Sequence, residues 1–490
     1  MSISQLYDRA DGVGLAQALA RRDVSPAELV DEAIARLERV NPQLNAVTSR
    51  TFDQARATSE GGGPLAGVPT IVKDLGPAMA GVRQTMGSRY FADYVPLRDD
   101  EFVRRMRGAG LRIIAKSSTP EVGLVPFTEP ALFGPCRNPW NLERTPGGSS
   151  GGSGALCGAG VVPLAHGNDM GGSIRIPASC NGLIGLKPSR GRAPTTGGLA
   201  GQANADLGVS RSVRDTAALL DAVRNDEGEA FLHAIEREPA RLRIALVRGP
   251  MLGHGYSPEA RAAVDDAAAL CESLGHSVVE SEPQGVDYPT LAYSLLMLFA
   301  ANTGWHFGSG NPTPERKLSR SDIEPTTQAM LAIARVVALD ELTTALAHQR
   351  KLIDTMDAFM RDYDVILTPT LASPPVKIGE LALTNSEKTQ VAVLTRLKSR
   401  ALLGKAARDI AARMFDWIPT TPVFNLTGQP AISVPLHWTS DGLPVGVQFA
   451  ARLNDEATLL QLAAQLERAR PWSARRPPVW AGNESIPASG

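Results

Sequence analysis

Residues 143–195 hold two clusters rich in glycine and serine, TPGGSSGGSG at 145–154 and GNDMGGSIRIP at 167–177. We disfavour a flexible linker, because the first cluster runs straight into the apolar stretch ALCGAGVVPLA at 155–165. A phosphate-binding loop does not fit either, since no Lys-Ser/Thr pair follows the glycines at P-loop spacing. We therefore interpret the segment as an active-site loop whose backbone approaches a substrate closely, which glycine permits.

Ser173 stands directly after Gly171 and Gly172 in the second cluster. Consecutive glycine amides can point at one spot and stabilise the negative charge that develops on a carbonyl oxygen. A serine at the end of such a turn can attack the same carbonyl. A tight glycine turn with a solvated serine is the ordinary alternative, and it is slightly favoured when this cluster is taken alone. A serine nucleophile also needs a base.

The candidate base is Lys73, in the run GVPTIVKDL at 67–75, which predicts a turn followed by a short apolar strand. Burial lowers the pKa of a lysine from about 10.4, in extreme cases to ~5–6, and the neutral amine is a competent base. The alternative is a lysine that reaches solvent from the strand end. His166 is a weaker candidate, because a packed histidine with satisfied hydrogen bonds is the ordinary interpretation. Lys116 and Lys187 lie beside loop-like residues, and we interpret both as structural.

The composition excludes several classes of protein. The 490 residues carry a net charge of −1, so no whole-molecule field attracts nucleic acid or an anionic membrane. The four cysteines are far apart and form no CxxC pair, which argues against a zinc or dithiol site and suits a reducing compartment. The first residues lack the pattern of a signal peptide, and the longest nearly apolar stretch, 155–165, is too short to span a bilayer. We expect a cytoplasmic protein without a nucleic-acid or membrane partner.

The rest of the chain alternates between strand and helix patterns. Ser25-Pro26-Ala27-Glu28 predicts a helix start, and apolar residues at helical spacing extend that helix over 25–40, where Asn41-Pro42 is expected to end it. Further strands are predicted at 111–115, 243–247, 276–280, 365–370 and 429–436, and further helices near 99–108, 257–275 and 455–470. This alternation favours an α/β sheet with crossover helices. We expect one domain over 1–490, with a catalytic core at 65–195 and variable insertions at 196–240 and 285–360 that shape the substrate pocket.

Five stretches now carry a family resemblance: GVPTIVKDL (67–75), TPGGSSGGSGA (145–155), GNDMGGSIRIPAS (167–179), GLIGLKP (182–188) and FNLTGQPAISVPL (424–436). Together they resemble the amidase signature enzymes, over about residues 20 to 472. RNPW, AHGND and RIPAS are similar to the branch of that family that holds 6-aminohexanoate-cyclic-dimer hydrolases. The resemblance implies a large mixed β-sheet covered on both faces by helices.

The resemblance also implies the roles of the site residues. Lys73 would be the base, Ser149 the bridging serine after a cis Gly148–Ser149 peptide bond, and Ser173 the nucleophile of an acyl-enzyme. The oxyanion hole would be formed by the backbone amides of Met170, Gly171, Gly172 and Ser173. It implies neither a metal nor another cofactor. The expected partner is a small-molecule amide, and the expected assembly is a monomer or homodimer.

Two departures from the family pattern concern Asn168 and Ile176. The family commonly has threonine where Asn168 stands, so the local hydrogen bonding near the bridging serine is expected to differ. Glutaminase subunits of tRNA-dependent amidotransferases usually carry glutamine where Ile176 stands, which argues against that alternative function. The remaining pocket candidates share an apolar side chain and lie before the serine loop or in the second insertion: Phe127, Phe133 and Met297. With Ile176 they favour neutral aryl or alkyl amides, with lactams and carbamates not separable from them.

Overall fold

Two β-sheets organise the computed structural model, which describes residues 2–57, 61–196, 203–308, 314, 316–336, 339–397 and 399–483. The strands are β1 Val47–Arg50, β2 Pro69–Lys73, β3 Arg112–Ser117, β4 Leu164–Asp169, β5 Ile184–Lys187, β6 Ala205–Ser210, β7 Arg243–Leu246, β8 Ser277–Glu280, β9 Val365–Pro369, β10 Ala431–Trp438 and β11 Pro444–Ala451. A three-stranded sheet has the order β1-β3-β2, and an eight-stranded sheet has the order β4-β6-β5-β10-β11-β9-β7-β8. The large sheet is mixed, since β7 runs parallel to β8 and β9 while the other pairs are antiparallel.

Helices surround both sheets. They are α1 Ile3–Arg9, α2 Gly12–Ala20, α3 Pro26–Leu44, α4 Phe52–Ala57, α5 Glu101–Gly108, α6 Gly151–Gly158, α7 Arg175–Asn181, α8 Val213–Val223, α9 Phe231–Ala234, α10 Pro258–Ser273, α11 Tyr288–His306, α12 Pro325–Val336, α13 Leu339–Phe359, α14 Asn385–Leu397, α15 Arg400–Met414, α16 Thr421–Thr427 and α17 Glu456–Ala469. None of these helices, within the described residues, is long and apolar enough to cross a membrane.

The large sheet is buried on both faces, as its alternating side chains show. In β9, Val365 and Leu367 pack in one hydrophobic core while Ile366 packs in a second. The first core also contains apolar residues of α8, α10 and α17, and the second contains those of α11, α13 and α16. Because successive strand residues point to opposite faces, the two cores lie on opposite sides of one sheet. The predicted fold class, a mixed sheet covered on both faces by helices, is confirmed.

One expectation from the sequence was wrong. Helix α3 continues through Asn41 and Pro42 to Leu44. Pro42 removes only one backbone donor from the helix. The helix ends instead at Asn45, which adopts the left-handed conformation and donates its amide to the Asn41 carbonyl. The range 196–240, interpreted as an insertion, contains β6, which lies between β4 and β5 in the large sheet. This part of the range therefore belongs to the sheet core, and 197–202 lies outside the described residues.

The small sheet meets the large sheet where β2 packs against β4. The Thr70 hydroxyl donates to the Leu164 carbonyl at 3.1 Å, and the Lys73 amide donates to Nδ1 of His166 at 3.3 Å. Both strands are fully buried along their lengths. The two glycine- and serine-rich clusters lie far from Lys73 in the chain but close to it in space. The first leads into α6, which packs against β2 and β4, and the second begins within β4.

Candidate active site

Lys73 ends β2 at the junction of the two sheets, and its side chain is completely buried. Its Nζ lies 2.6 Å from Oγ of Ser149 and 2.5 Å from Oδ1 of Asn168. Burial lowers the pKa of Lys73 to about 7, against the opposing effect of the carboxylates of Asp206 and Asp169, which favour the charged form. A substantial fraction of this lysine is therefore neutral near physiological pH, and the neutral amine is held against a serine hydroxyl.

Ser149 lies in the loop before α6, and its side chain is buried. The Gly148–Ser149 peptide bond is cis, as the resemblance implies. A Cβ atom at Gly148 would lie 2.6 Å from the backbone nitrogen of Phe127, so only glycine fits against that backbone. The backbone just before the serine whose hydroxyl faces Lys73 therefore lies directly against the backbone of Phe127.

Ser173 lies just before α7, in the wall of a large cavity, and it is half-buried. The amides of Met170, Gly171 and Ser173 have no acceptor among the described residues. The amide of Gly172 is different, since it donates to Oδ1 of Asp169 at 2.6 Å. Of the four amides expected to form an oxyanion hole, three are thus free for a ligand and the fourth is occupied, because the buried carboxylate needs donors.

The turn before Ser173 is held by contacts that require glycine and a buried hydroxyl. Gly172 has a φ of +124°, and a Cβ atom there would lie 2.4 Å from Oγ1 of Thr421. The Thr421 hydroxyl donates to the Gly171 carbonyl at 2.8 Å. That bond occupies the Gly171 carbonyl within the protein, whereas the Gly171 amide has no acceptor among the described residues.

Asp169 and Arg175 form an ion pair that anchors the loop. Both side chains are fully buried, and two nitrogens of the guanidinium donate to the carboxylate at 2.9 and 3.0 Å. Asn425 also donates to the carboxylate, at 2.9 Å, and accepts from Arg175 at 2.6 Å. Burial raises the pKa of Asp169, but the charge and hydrogen bonds of Arg175 outweigh it and lower this pKa from 3.8 to about 2. Arg175 therefore supports the loop, since its guanidinium is occupied by partners within the protein.

The competing bases all have structural partners. His166 accepts from the Lys73 amide at Nδ1, and its Nε2 lies 3.1 Å from Oδ1 of Asp206, which fits a neutral ring that donates to the carboxylate. Burial lowers the pKa of His166. Lys116 is paired with buried Asp74 at 3.0 Å. Lys187 is buried and donates to the Pro188 carbonyl at 2.8 Å, away from the serines.

A cavity of about 830 Å³ opens over Ser173 and contains Ser149 and Asn168 in its wall. Its apolar lining comes from several separate segments of the chain and includes Leu75, Met86, Tyr94, Val122, Leu124, Val125, Ile176, Phe299, Trp305, Met414 and Ile418. Polar groups in the wall include Gln84, Asn204, Asp206 and Asn302, and Arg98 lies exposed at its edge. The lining therefore suits a largely apolar ligand with a polar reacting centre.

Only one of the four pocket residues predicted from sequence lines this cavity, namely Ile176. Phe127 lines a smaller, separate cavity of about 230 Å³, and Phe133 lies beside the guanidinium of Arg83. Met297 is 1% exposed and packs in the second hydrophobic core. Two residues further along α11, Phe299 takes the expected place, because two residues turn a helix by about 200° and reverse the face.

The structure adds residues that the motifs did not identify. Phe299, Asn302, Thr303 and His306 all line the cavity, at the spacing of one helix face. That spacing was visible in the sequence, and it could have separated the cavity face of α11 from the core face. The contact between Asn168 and Lys73 was not visible, because it joins β4 to the other sheet.

Comparisons with known proteins find relatives along nearly the whole chain. The sequence profile of the family described as Amidase matches residues 28–460. The chain is 36% identical to a 6-aminohexanoate-cyclic-dimer hydrolase of Paenarthrobacter ureafaciens and 37% identical to one of Pseudomonas sp. (strain NK87), in each case over 98% of both chains. It is similar to a solved structure of 6-aminohexanoate cyclic dimer hydrolase complexed with substrate, with 35% identity, a TM-score of 0.86, and coverage of 97% of this chain and 99% of that one.

Replacing Asp169 with asparagine should destabilise the protein and abolish turnover, because buried Arg175 then loses its carboxylate. Breaking a buried ion pair costs about 3–5 kcal/mol, which a lower urea midpoint would report. The matched control is Glu229→Gln, which removes an exposed pair with Arg237 and should change stability by at most about 1 kcal/mol. Equal effects of the two substitutions would contradict the anchoring role of Asp169.

Proposed function

Because the chain belongs to the amidase signature family and is an amide-cleaving hydrolase, we propose that Ser173 is its nucleophile, Ser149 the bridging group and Lys73 the base. The observation that carries this proposal is the contact of 2.6 Å between the buried amine of Lys73 and the Ser149 hydroxyl. A neutral amine in that place can remove a proton that a charged lysine could not. Ser173 supports the proposal by its place in the cavity wall beside free backbone amides.

The proposed reaction passes one proton along the three residues. Neutral Lys73 takes the proton of Ser149, which takes that of Ser173 as the Ser173 oxygen attacks the carbonyl carbon. The amides of Met170, Gly171 and Ser173 stabilise the resulting oxyanion, and loss of one such donor typically costs ~100–1,000-fold in rate. The proton then returns through Ser149 to the leaving amine, which departs and leaves an acyl-enzyme. Water cleaves the acyl-enzyme by the same relay.

The substrate class that we propose is neutral aryl and alkyl amides, including cyclic amides. The apolar walls support it, since burying apolar surface contributes about 25 cal/mol per Å². Fully buried Arg175 is not available to a substrate carboxylate, because its guanidinium is occupied by Asp169, Gln448 and Asn425. The two relatives named as cyclic-dimer hydrolases of 6-aminohexanoate support a cyclic amide among the substrates. Carbamates present the same carbonyl and belong in the same test.

Ser173→Ala should abolish turnover of a good amide substrate while the fold stays intact, because the attacking oxygen is lost. A serine-directed phosphonate should label the wild-type chain on a peptide that contains Ser173. Thermal unfolding of the variant serves as the control for folding. Labelling at Ser149 alone would reverse the roles of the two serines. A kcat near the wild-type value in the Ser173→Ala variant would exclude Ser173 as the nucleophile.

The value of kcat/KM should fall as pH falls through about 7, since protonation of Lys73 removes the base. Above that pH the amine is neutral and the rate should reach a plateau, with a tenfold loss for each pH unit below it. Circular dichroism at each pH separates this titration from unfolding, and Lys73→Ala should be nearly inactive throughout. A profile that is flat down to about pH 5 would be incompatible with a neutral lysine base.

Neutral amides should be better substrates than charged ones. The comparison is kcat/KM for 4-nitroacetanilide, a neutral lactam and an aryl carbamate against glutamine and the monoamide of a dicarboxylic acid. The apolar wall should favour the first group by at least about tenfold, which corresponds to 1.4 kcal/mol. A tenfold preference for the charged compounds would overturn the substrate proposal and would favour a glutaminase instead.

A further inference from the structure

Asn168 is the second hydrogen-bond partner of the Lys73 amine. Its Oδ1 lies 2.5 Å from Nζ, and its Nδ2 donates to the Leu75 carbonyl at 3.1 Å. The Leu75 carbonyl can only accept a hydrogen bond, so the Asn168 amide nitrogen must face it. The amide oxygen must then face Lys73. Asn168 therefore presents an acceptor, and not a donor, to Lys73.

The surroundings keep this amide in place. Gly76 has a φ of +102°, and a Cβ atom there would lie 2.6 Å from Nδ2 of Asn168. The backbone carbonyl of Asn168 accepts a hydrogen bond from the Ser150 hydroxyl at 3.3 Å. The side chain is thus enclosed between the β2 end and the serine loop, and 7% of the residue is exposed.

A neutral lysine amine has two N–H groups and one lone pair. Since Asn168 can only accept, one N–H must point at it, and this orientation leaves the lone pair free to face the Ser149 hydroxyl. A threonine hydroxyl in the same place could either donate or accept. It could therefore also donate to the amine and occupy the lone pair that the proton transfer needs.

We propose that Asn168 is a positioning residue that fixes the direction of the proton relay, by accepting an N–H of neutral Lys73 and directing its lone pair at Ser149. This inference rests on the proposed function, in which Lys73 is the base. It goes further by explaining why an uncharged acceptor stands at this point of the site.

The charge of the acceptor matters as much as its direction. The other ionisable groups that interact with Lys73 or lie beside it in and around the neighbouring strands are Asp206, Asp169, His166, Asp74, Lys116 and Arg112. The three carboxylates are occupied by other partners, Asp169 by Arg175, Asp206 by His166 and Asn204, and Asp74 by Lys116. The two groups that touch the amine, the Asn168 amide and the Ser149 hydroxyl, are both uncharged, so the ammonium form gains no direct ion pair.

The experiment measures pH profiles of kcat/KM for Asn168→Asp, Asn168→Leu and Asn168→Thr. In the aspartate variant, the acid limb of the profile, which is the pH range where kcat/KM falls as Lys73 is protonated, should lie about one to three pH units higher. A carboxylate in contact with the amine favours the charged lysine. The leucine variant removes the acceptor, so kcat should fall about 10- to 100-fold at every pH without an upward shift. The threonine variant should recover about tenfold of that loss, because its hydroxyl can still accept.

The matched control is Asn225→Asp, which adds a carboxylate at an exposed position that does not line the cavity. Its acid limb should stay within about half a pH unit of wild type. An aspartate variant at 168 whose limb does not move would overturn the proposal. If that variant does not fold, equal kcat for the leucine and threonine variants overturns it instead. Retained turnover in Lys73→Ala would refute the proposed function itself, whatever Asn168 does.

Discussion

The burial of one amine at the junction of two sheets is the constraint on which the site depends. A charged Lys73 would have to be desolvated without an ion pair, and this keeps its pKa near 7 instead of 10.5. The same burial explains why its polar contacts are a hydroxyl and an amide oxygen. Lys116 is equally buried on the neighbouring strand, but it has an ion pair, since its amine lies 3.0 Å from the carboxylate of Asp74. The two lysines differ in what faces them, since Lys73 faces a serine hydroxyl and Lys116 faces a carboxylate.

The second requirement is a rigid turn at the place where charge would develop. The Asp169 carboxylate accepts hydrogen bonds from the amides of Gly172 and Ile174 and forms an ion pair with Arg175. Arg175 also donates to Gln448 and so connects the turn to β11. Preorganised donors are effective because they do not have to reorient as the reaction proceeds. The buried ion pair therefore acts on the backbone of the turn and leaves the cavity free of its charge. This separation is consistent with a site for neutral substrates.

The sequence predicts the parts of this site that local chemistry determines. Glycine beside serine, and lysine within an apolar strand, are local patterns, and the resemblance assigns them roles that fit the geometry of Lys73 and Ser149. The strand–helix alternation likewise predicts β7, α10 and β8. Strand β6 was missed, because its burial depends on neighbours distant in sequence. It carries Gly208, where a Cβ atom would lie 2.2 Å from the Ala165 carbonyl, a contact that no local pattern predicts.

The cavity walls were the least predictable part, for a reason that the helix α11 makes clear. An apolar residue on a helix can face the core or a cavity, and Met297 and Phe299 differ in this although both are apolar. Which residues of α11 face the cavity depends on how the helix is rotated about its axis, and contacts with neighbouring segments fix that rotation. One such contact is made by Phe299, whose ring lies 3.0 Å from the position that a Cβ atom of Gly171 would take. Glycine at that position therefore serves the wall as well as the turn, since any side chain would displace the aromatic ring. The residues that shape the substrate space and those that present the amides are thus in direct contact, so a change in α11 that alters specificity should also alter the geometry of the turn.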